Sequence, residues 1–166
     1  TNYPTKLDIT KPDTTFTVYI HDMQTGTTRG VVSESNYAVL SANGRYVAYD
    51  NVFGSGVTGQ VFRYDLTTGE NIKVSVNDNG IEANYESYLP SISADGRYIT
   101  FTSVSNNLVN DDTNENYDVF LHDTVTEQTS RVSVASDGTQ GNDMSWTSVI
   151  SGDGKYVAFN SNATNL

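Results

Sequence analysis

The chain has 166 residues and a formal net charge of −11, with 20 Asp and Glu against 9 Lys and Arg. A surface this acidic repels phosphate backbones and anionic lipid, so it argues against nucleic acid and membrane as partners and favours cations or basic protein surfaces. The chain has no cysteine, which excludes a disulfide framework, a thiol nucleophile and a thiolate metal site, and no apolar run approaches the roughly 18 residues of a membrane span.

Thr, Ser, Val, Asn, Gly and Tyr dominate the composition, which favours strands and turns over helices. The first strand-like runs are 16–22 and 27–33, around "VYIHDMQTG" from Val18. The phrase "SANGRYVAY" follows from Ser41, then the loop "NVFGSGVTGQ" (51–60) and "VFRYDLTTG" from Val61. A long polar connection, "NDNGIEANYES" (77–87), leads to "SADGRYITF" from Ser93, and a second, "SNNLVNDDTNENY" (105–117), follows it. Four further strand runs are predicted at 118–123, 129–134, 146–151 and 155–161. The polar segment "ASDGTQGNDMS" (135–145) separates the middle two, and "SGDGKYVAF" starts at Ser151.

These phrases are one repeat. Shifting the chain by 58 residues lays 61–108 on 119–166 without a gap, with 19 identities in 48 positions, and a third copy begins at Val18. Asn43-Gly44, Asp95-Gly96 and Asp153-Gly154 are hairpin turns, so the Asp of the repeated phrase is a turn residue and not a catalytic acid. In the strand after each turn both faces are largely apolar (Tyr98 and Thr100 against Ile99 and Phe101), so both must be covered. Four-stranded antiparallel sheets, repeated and covered on both faces without helices, are the blades of a β-propeller.

The pattern Ser-x-Asp-Gly-Arg-Tyr-aliphatic-x-Phe, then Asp-Val-Phe-x-x-Asp, then Thr-Gly, resembles the TolB-type, WD-like propeller repeat of bacteria, from about Phe16 to Leu166. That family usually writes Pro-Asp-Gly at the turn, where this chain has Ala-Asn-Gly, Ala-Asp-Gly and Gly-Asp-Gly. The resemblance implies an all-β propeller and an extracellular, periplasmic or envelope location in a bacterium. In the family's blade order the chain reads as two whole blades (about 37–77 and 86–135) flanked by two half blades, within a single domain over 1–166. Three blades are too few for a ring, so two chains are expected to join as a homodimer with six blades. The alternative is a stretch of a longer propeller; an opening Thr1 rather than Met implies processing or excision.

The long polar connections fall on one face of such a ring, where function generally sits. The expected role is a non-catalytic binding and scaffold module that presents this acidic, Asn-rich face to a protein or glycan through Asn79, Glu82, Asn84, Tyr85, Asn142, Asp143 and Trp146, with Tyr88 and Tyr117 nearby. In "NDDTNENYD", oxygen side chains recur at every second position, Asn110, Asp112, Asn114, Asn116 and Asp118, a spacing that suits calcium. His21 and His122 share a repeat position and are expected as strand residues packed between blades. No Gly-x-Ser-x-Gly elbow is present. The alternative to a binding module is a glycan-active hydrolase or lyase, with a carboxylate pair drawn from Glu82, Asp112 and Asp143.

Overall fold

The computed structural model describes residues 17–51 and 58–166; the loop expected at 51–60 falls mostly outside them. Strands β1 (Thr17–Asp22) and β2 (Thr27–Ser33) form a two-stranded antiparallel sheet. Strands β3 (Tyr37–Leu40), β4 (Tyr46–Asn51), β5 (Gln60–Asp65) and β6 (Asn71–Lys73) form a four-stranded sheet in that order. Strands β7 (Ser87–Ile92), β8 (Tyr98–Ser103), β9 (Asp118–Asp123) and β10 (Gln128–Arg131) repeat it, and β11 (Ser145–Ile150) pairs with β12 (Val157–Ser161). The order is therefore half blade, blade, blade, half blade, as the repeat predicts.

Each inner hairpin is built by the repeated phrase itself. Ser93 Oγ donates to Asp95 Oδ1 at 2.6 Å, Asp95 Oδ1 accepts Arg97 N, and Ser93 Oγ accepts Tyr98 N. Ser41 with Asn43 and Ser151 with Asp153 make the same set. The glycine that follows has a second duty. A Cβ on Gly96 (φ +79°) would lie 2.1 Å from the Tyr46 ring of the preceding blade, and one on Gly154 (φ +73°) would lie 2.5 Å from Tyr98. Only glycine permits both the left-handed backbone and that approach.

The blades stack face to face. Phe101 and Phe120 stack at 5.9 Å between ring centroids and join Ile99, Leu108, Val61 and Ala48 in a core between the two whole blades. Val47, Tyr49 and Leu66 pack on Val18, Ile20 and Val32 of the first half blade, with Tyr49 stacked on Phe62 at 5.3 Å. The carboxylate of Asp50, a buried group, accepts N–H groups from Tyr37 of its own blade and Leu89 of the next (3.1 Å each), and burial raises its pKa.

Two differences from the sequence reading have clear causes. The strand expected at 129–134 ends at Arg131. Beyond it Ser133 Oγ accepts Val119 N (3.1 Å) and donates to Asp118 (2.5 Å), so a side chain replaces the backbone ladder. Ser75 does the same between Val61 N and Gln60. The second difference concerns the histidines. His122 is buried, with Nδ1 at 2.9 Å from Thr129 Oγ1, and burial lowers its pKa. His21 makes the equivalent contact with Thr28 (2.7 Å) but is exposed, because no described sheet lies against that side of β1.

Both whole blades carry one ion pair, which clamps the turn before β4 to β5 in one and the turn before β8 to β9 in the other. Arg45 meets Asp65 and Arg97 meets Asp123, each at 2.6 Å. The guanidinium in each pair is the main cause holding the carboxyl well below its ordinary value of 3.8, helped by backbone N–H groups from the following turn. For a carboxyl with a depressed folded pKa, the stability it contributes is present above the unfolded value and disappears as pH falls below it. The melting temperature is therefore expected to drop steeply once the pH passes below 3.8. Asp123→Asn should lower the plateau near neutrality and flatten the acid limb; an unchanged acid limb would show that the clamp is energetically silent.

Candidate functional site: the loop face

The connections from outer strand to next inner strand (74–86, 132–144) and from β8 to β9 (104–117) come together on one side of the blades. They are locked by a repeated asparagine device. Asn107 Oδ1 accepts Asn84 N (3.0 Å) while Asn107 Nδ2 donates to Glu82 O (2.8 Å), and Asn165 does the same for Asn142 N and Gln140 O. The Asn84 and Asn142 side chains donate to Asn106 Oδ1 and Thr164 Oγ1. Of the residues expected on a ligand face, these two serve to hold loops together. Asp143 accepts the N–H of its neighbour Met144, and Trp146 is a half-buried residue of β11 opposite Asn160. Tyr85 is exposed.

The turn Asn77–Gly80 stands between two clefts. One, about 360 Å³, is lined by Asn77, Asp78, Asn79, Asn107, Asn110 and Thr129. The other, about 520 Å³, runs past Lys73, Asn79, Glu82, His122 and Glu127. Asn77 holds the turn: its Oδ1 accepts Asn79 N and Ile81 N, and its Nδ2 reaches Asn107 O. Asp78 Oδ1 accepts Thr129 N at 2.7 Å, tying the turn to the outermost strand β10. Asn79 and Asn110 are exposed and point no amide into a hydrogen bond among the described residues. The structure thus gathers Asn79 and Asn110, expected in two different sites, into one cleft.

The alternating set 110–118 divides among several partners. Asp112 and Asp118 converge, but on the buried guanidinium of Arg131, at 3.4 and 3.7 Å. Gln140 Nε2 donates to both carboxylates and Asn114 Nδ2 donates to Asp118. Asn116 turns back onto the backbone of Asn114, and Asn110 lies in the cleft described above. One positive charge therefore already occupies the space between the two carboxylates. Burial is the main cause raising the pKa of Asp112, with the Asp118 charge adding to it. Among the described residues no group of three or more His, Asp or Glu could hold a metal ion. The carboxylates considered for hydrolysis are also separately engaged: Glu82 with Lys73 at 2.5 Å, Asp112 with Arg131, and Asp143 with its own backbone neighbour.

Sequence reasoning missed Arg131 and Gln140, which organise the acidic loop from 13 or more residues away. It also missed Glu86, which accepts a hydrogen bond from the Tyr117 hydroxyl, while the Tyr117 ring packs edge-on against Tyr88 at 5.6 Å. That bond is the main cause raising the Tyr117 pKa, so its hydroxyl remains a donor. The available signal was an acid two residues before an aromatic at the start of an inner strand, which has no distinctive spacing.

No family model matches the chain and no curated protein matches it. Solved structures do. TolB from Acinetobacter baumannii is similar over 90% of this chain, with a TM-score of 0.59 and 19% identity. The chain folds as a partial β-propeller. A putative TolB from Agrobacterium tumefaciens (TM-score 0.51, 19% identity, 87% of this chain) and a structure from an analysis of two prolyl endopeptidases (0.59, 17%, 87%) share this propeller architecture. The chain spans 33%, 50% and 22% of those three chains respectively. No helix among the described residues of the propeller is long and apolar enough to cross a membrane.

Proposed function

We propose that the chain is a non-catalytic binding module of the bacterial envelope or exterior, which presents its acidic, amide-rich loop face to a glycan. The supporting observation is the cleft beside the turn Asn77–Gly80, where the side-chain amides of Asn79 and Asn110 make no hydrogen bond among the described residues and stand beside a floor fixed by Asn77 and Asn107. A primary amide offers two donors and one acceptor, which matches vicinal hydroxyls. Asp78, Glu82 and Glu127 around the turn disfavour anionic sugars, so a neutral or amino-bearing glycan fits best. The loops that carry the cleft are pinned to rigid blades, so little ordering is required on binding.

The test is a glycan array followed by calorimetry on the sugars retained. Asn79→Ala and Asn110→Ala are each expected to weaken binding about tenfold, the cost of roughly one neutral hydrogen bond of ~1.4 kcal/mol. Asn142→Ala, in the corresponding loop lock of the next repeat, should leave affinity unchanged. Silence on the array, or equal binding by the cleft variants, would sink the reading.

A further inference from the structure

The larger of the two clefts beside the turn Asn77–Gly80 holds a histidine whose proton is placed by its hydrogen bonds. His122 of β9 is only 3% exposed. Its Nδ1 lies 2.9 Å from Thr129 Oγ1. That hydroxyl has a single hydrogen, and it is donated to the backbone oxygen of Val76, which can only accept. Towards His122 the hydroxyl is therefore an acceptor, so Nδ1 carries the ring proton and Nε2 is left with a bare lone pair. The two nitrogens of an imidazole point to nearly opposite sides of the ring. Thr129 lines the smaller cleft and not the larger, whereas His122 lines the larger, so the edge facing the larger cleft is the one with Nε2. Nε2 has no hydrogen-bond partner among the described residues. Burial holds the pKa of His122 below its ordinary 6.5, which keeps the ring neutral near pH 7.

An acceptor this enclosed calls for a donor, and the rest of the cleft selects which kind. Of the two cations near the ring, Lys73 is taken by Glu82 at 2.5 Å, and Arg63 donates to Gly96 O and Thr124 Oγ1. Two carboxylates are left without a cation. Asp78 accepts Thr129 N through Oδ1 and makes no ion pair, and the Glu127 carboxylate makes neither a hydrogen bond nor an ion pair among the described residues. Both act electrostatically on the His122 ring. Ile72 and Val76 give the same cleft an apolar wall. The acidic groups are not gathered tightly enough to hold a metal ion. What the cleft offers is one directed acceptor, a negative surround and a strip of apolar surface.

We propose that this cleft binds a primary ammonium group carried on an aliphatic stem, with Nε2 of His122 accepting one of its N–H donors, Glu127 and Asp78 supplying the opposing charge, and Ile72 and Val76 covering the stem. An alkylammonium has three donors and no acceptor, and water can meet the donors that Nε2 does not use. A neutral alcohol would satisfy Nε2 but leave both carboxylates uncompensated. A quaternary ammonium would meet the charge but has no hydrogen for Nε2. The same chemistry is carried by a free aliphatic amine and by a lysine side chain. This inference does not rest on the glycan reading, whose residue Asn110 lines the smaller cleft only.

The test titrates the full 166-residue chain with n-butylamine, with Nα-acetyl-lysine N-methylamide and with tetramethylammonium, and follows the imidazole nitrogens by long-range proton–nitrogen correlation spectroscopy. Without ligand at neutral pH, His122 should show a protonated Nδ1 and a bare Nε2. Both primary amines should shift that Nε2 with millimolar dissociation constants. His21, which is exposed, serves as the internal control and should not respond. Tetramethylammonium should leave Nε2 where it is. Glu127→Gln changes the charge of an exposed turn residue and should weaken both amines about fivefold. His122→Asn keeps an amide N–H for Thr129 but removes Nε2, and should weaken them about tenfold; if that variant is less stable, Glu127→Gln still decides. Tighter binding of the lysine derivative would assign the group to a protein side chain, and tighter binding of butylamine to a free amine. A proton on Nε2, no response to either amine, an equal response to tetramethylammonium, or unchanged affinity in Glu127→Gln would each overturn the proposal. Asn110→Ala, which tests the glycan reading, should leave amine binding unchanged.

Discussion

Arg131→Met is expected to destabilise the protein by ~3–5 kcal/mol, the cost of removing one partner from a buried ion network. The guanidinium stands between Asp112 and Asp118, whose side chains are 4% and 0% exposed. Without it, two carboxylates share an enclosed space with the neutral donors Gln140, Asn114 and Ser133. The pKa of Asp112, already raised by burial, should rise further. A carboxyl with a raised folded pKa costs stability above that pKa and stops costing it below. The variant should therefore recover part of its loss as the pH is lowered, the opposite trend to the Asp65 and Asp123 clamps. Adding Asp112→Asn to Arg131→Met should recover stability at neutral pH. Chemical denaturation of the three proteins at two pH values measures this; equal losses at both pH values would mean the effect is packing alone.

Phe101→Ala should cost a similar amount, ~3–5 kcal/mol, by emptying the middle of the interface between the two whole blades. Phe101 is fully buried, stacked on Phe120 and packed with Ile99 and Leu108. The loss has two parts, the transfer of the ring and the cavity it leaves, and the facing sheets are too rigidly hydrogen-bonded to close over the gap. Phe101→Leu should cost visibly less. The informative readout is whether unfolding stays a single transition. Since Phe101 joins one blade to the next, its loss should uncouple them and broaden the transition. A small loss with a sharp transition would place the main inter-blade adhesion elsewhere.

The blade architecture was legible because it is written in local signals. The Ser-x-Asp-Gly phrase folds its own hairpin through Ser93, Asp95 and Gly96, and period-2 alternation then fixes which residues meet the neighbouring sheet. The functional face was legible only by position. Asn84 and Asn142 look like ligand residues in sequence because an exposed loop amide and a loop-locking amide have the same spelling; only the position of Asn107 and Asn165 separates them. The acidic run at 110–118 has cation-binding spacing; the guanidinium that meets two of its carboxylates comes from β10, and no local pattern announces it. His21 and His122 show the same limit. They share a repeat position, yet burial depends on a neighbouring sheet and not on the residue.

The tie between Asp78 and Thr129 bears on how the protein behaves in crowded solution. In the two whole blades the outermost strands are only three and four residues long, and the edge of β10 is met by a carboxylate from another loop. Aggregation through strand edges needs a run of free backbone donors, and the outer edges of the two whole blades are too short to supply a long one. The two whole blades are therefore poor templates for sideways fibrils, and the seven-residue outer strand β2 is the longer edge.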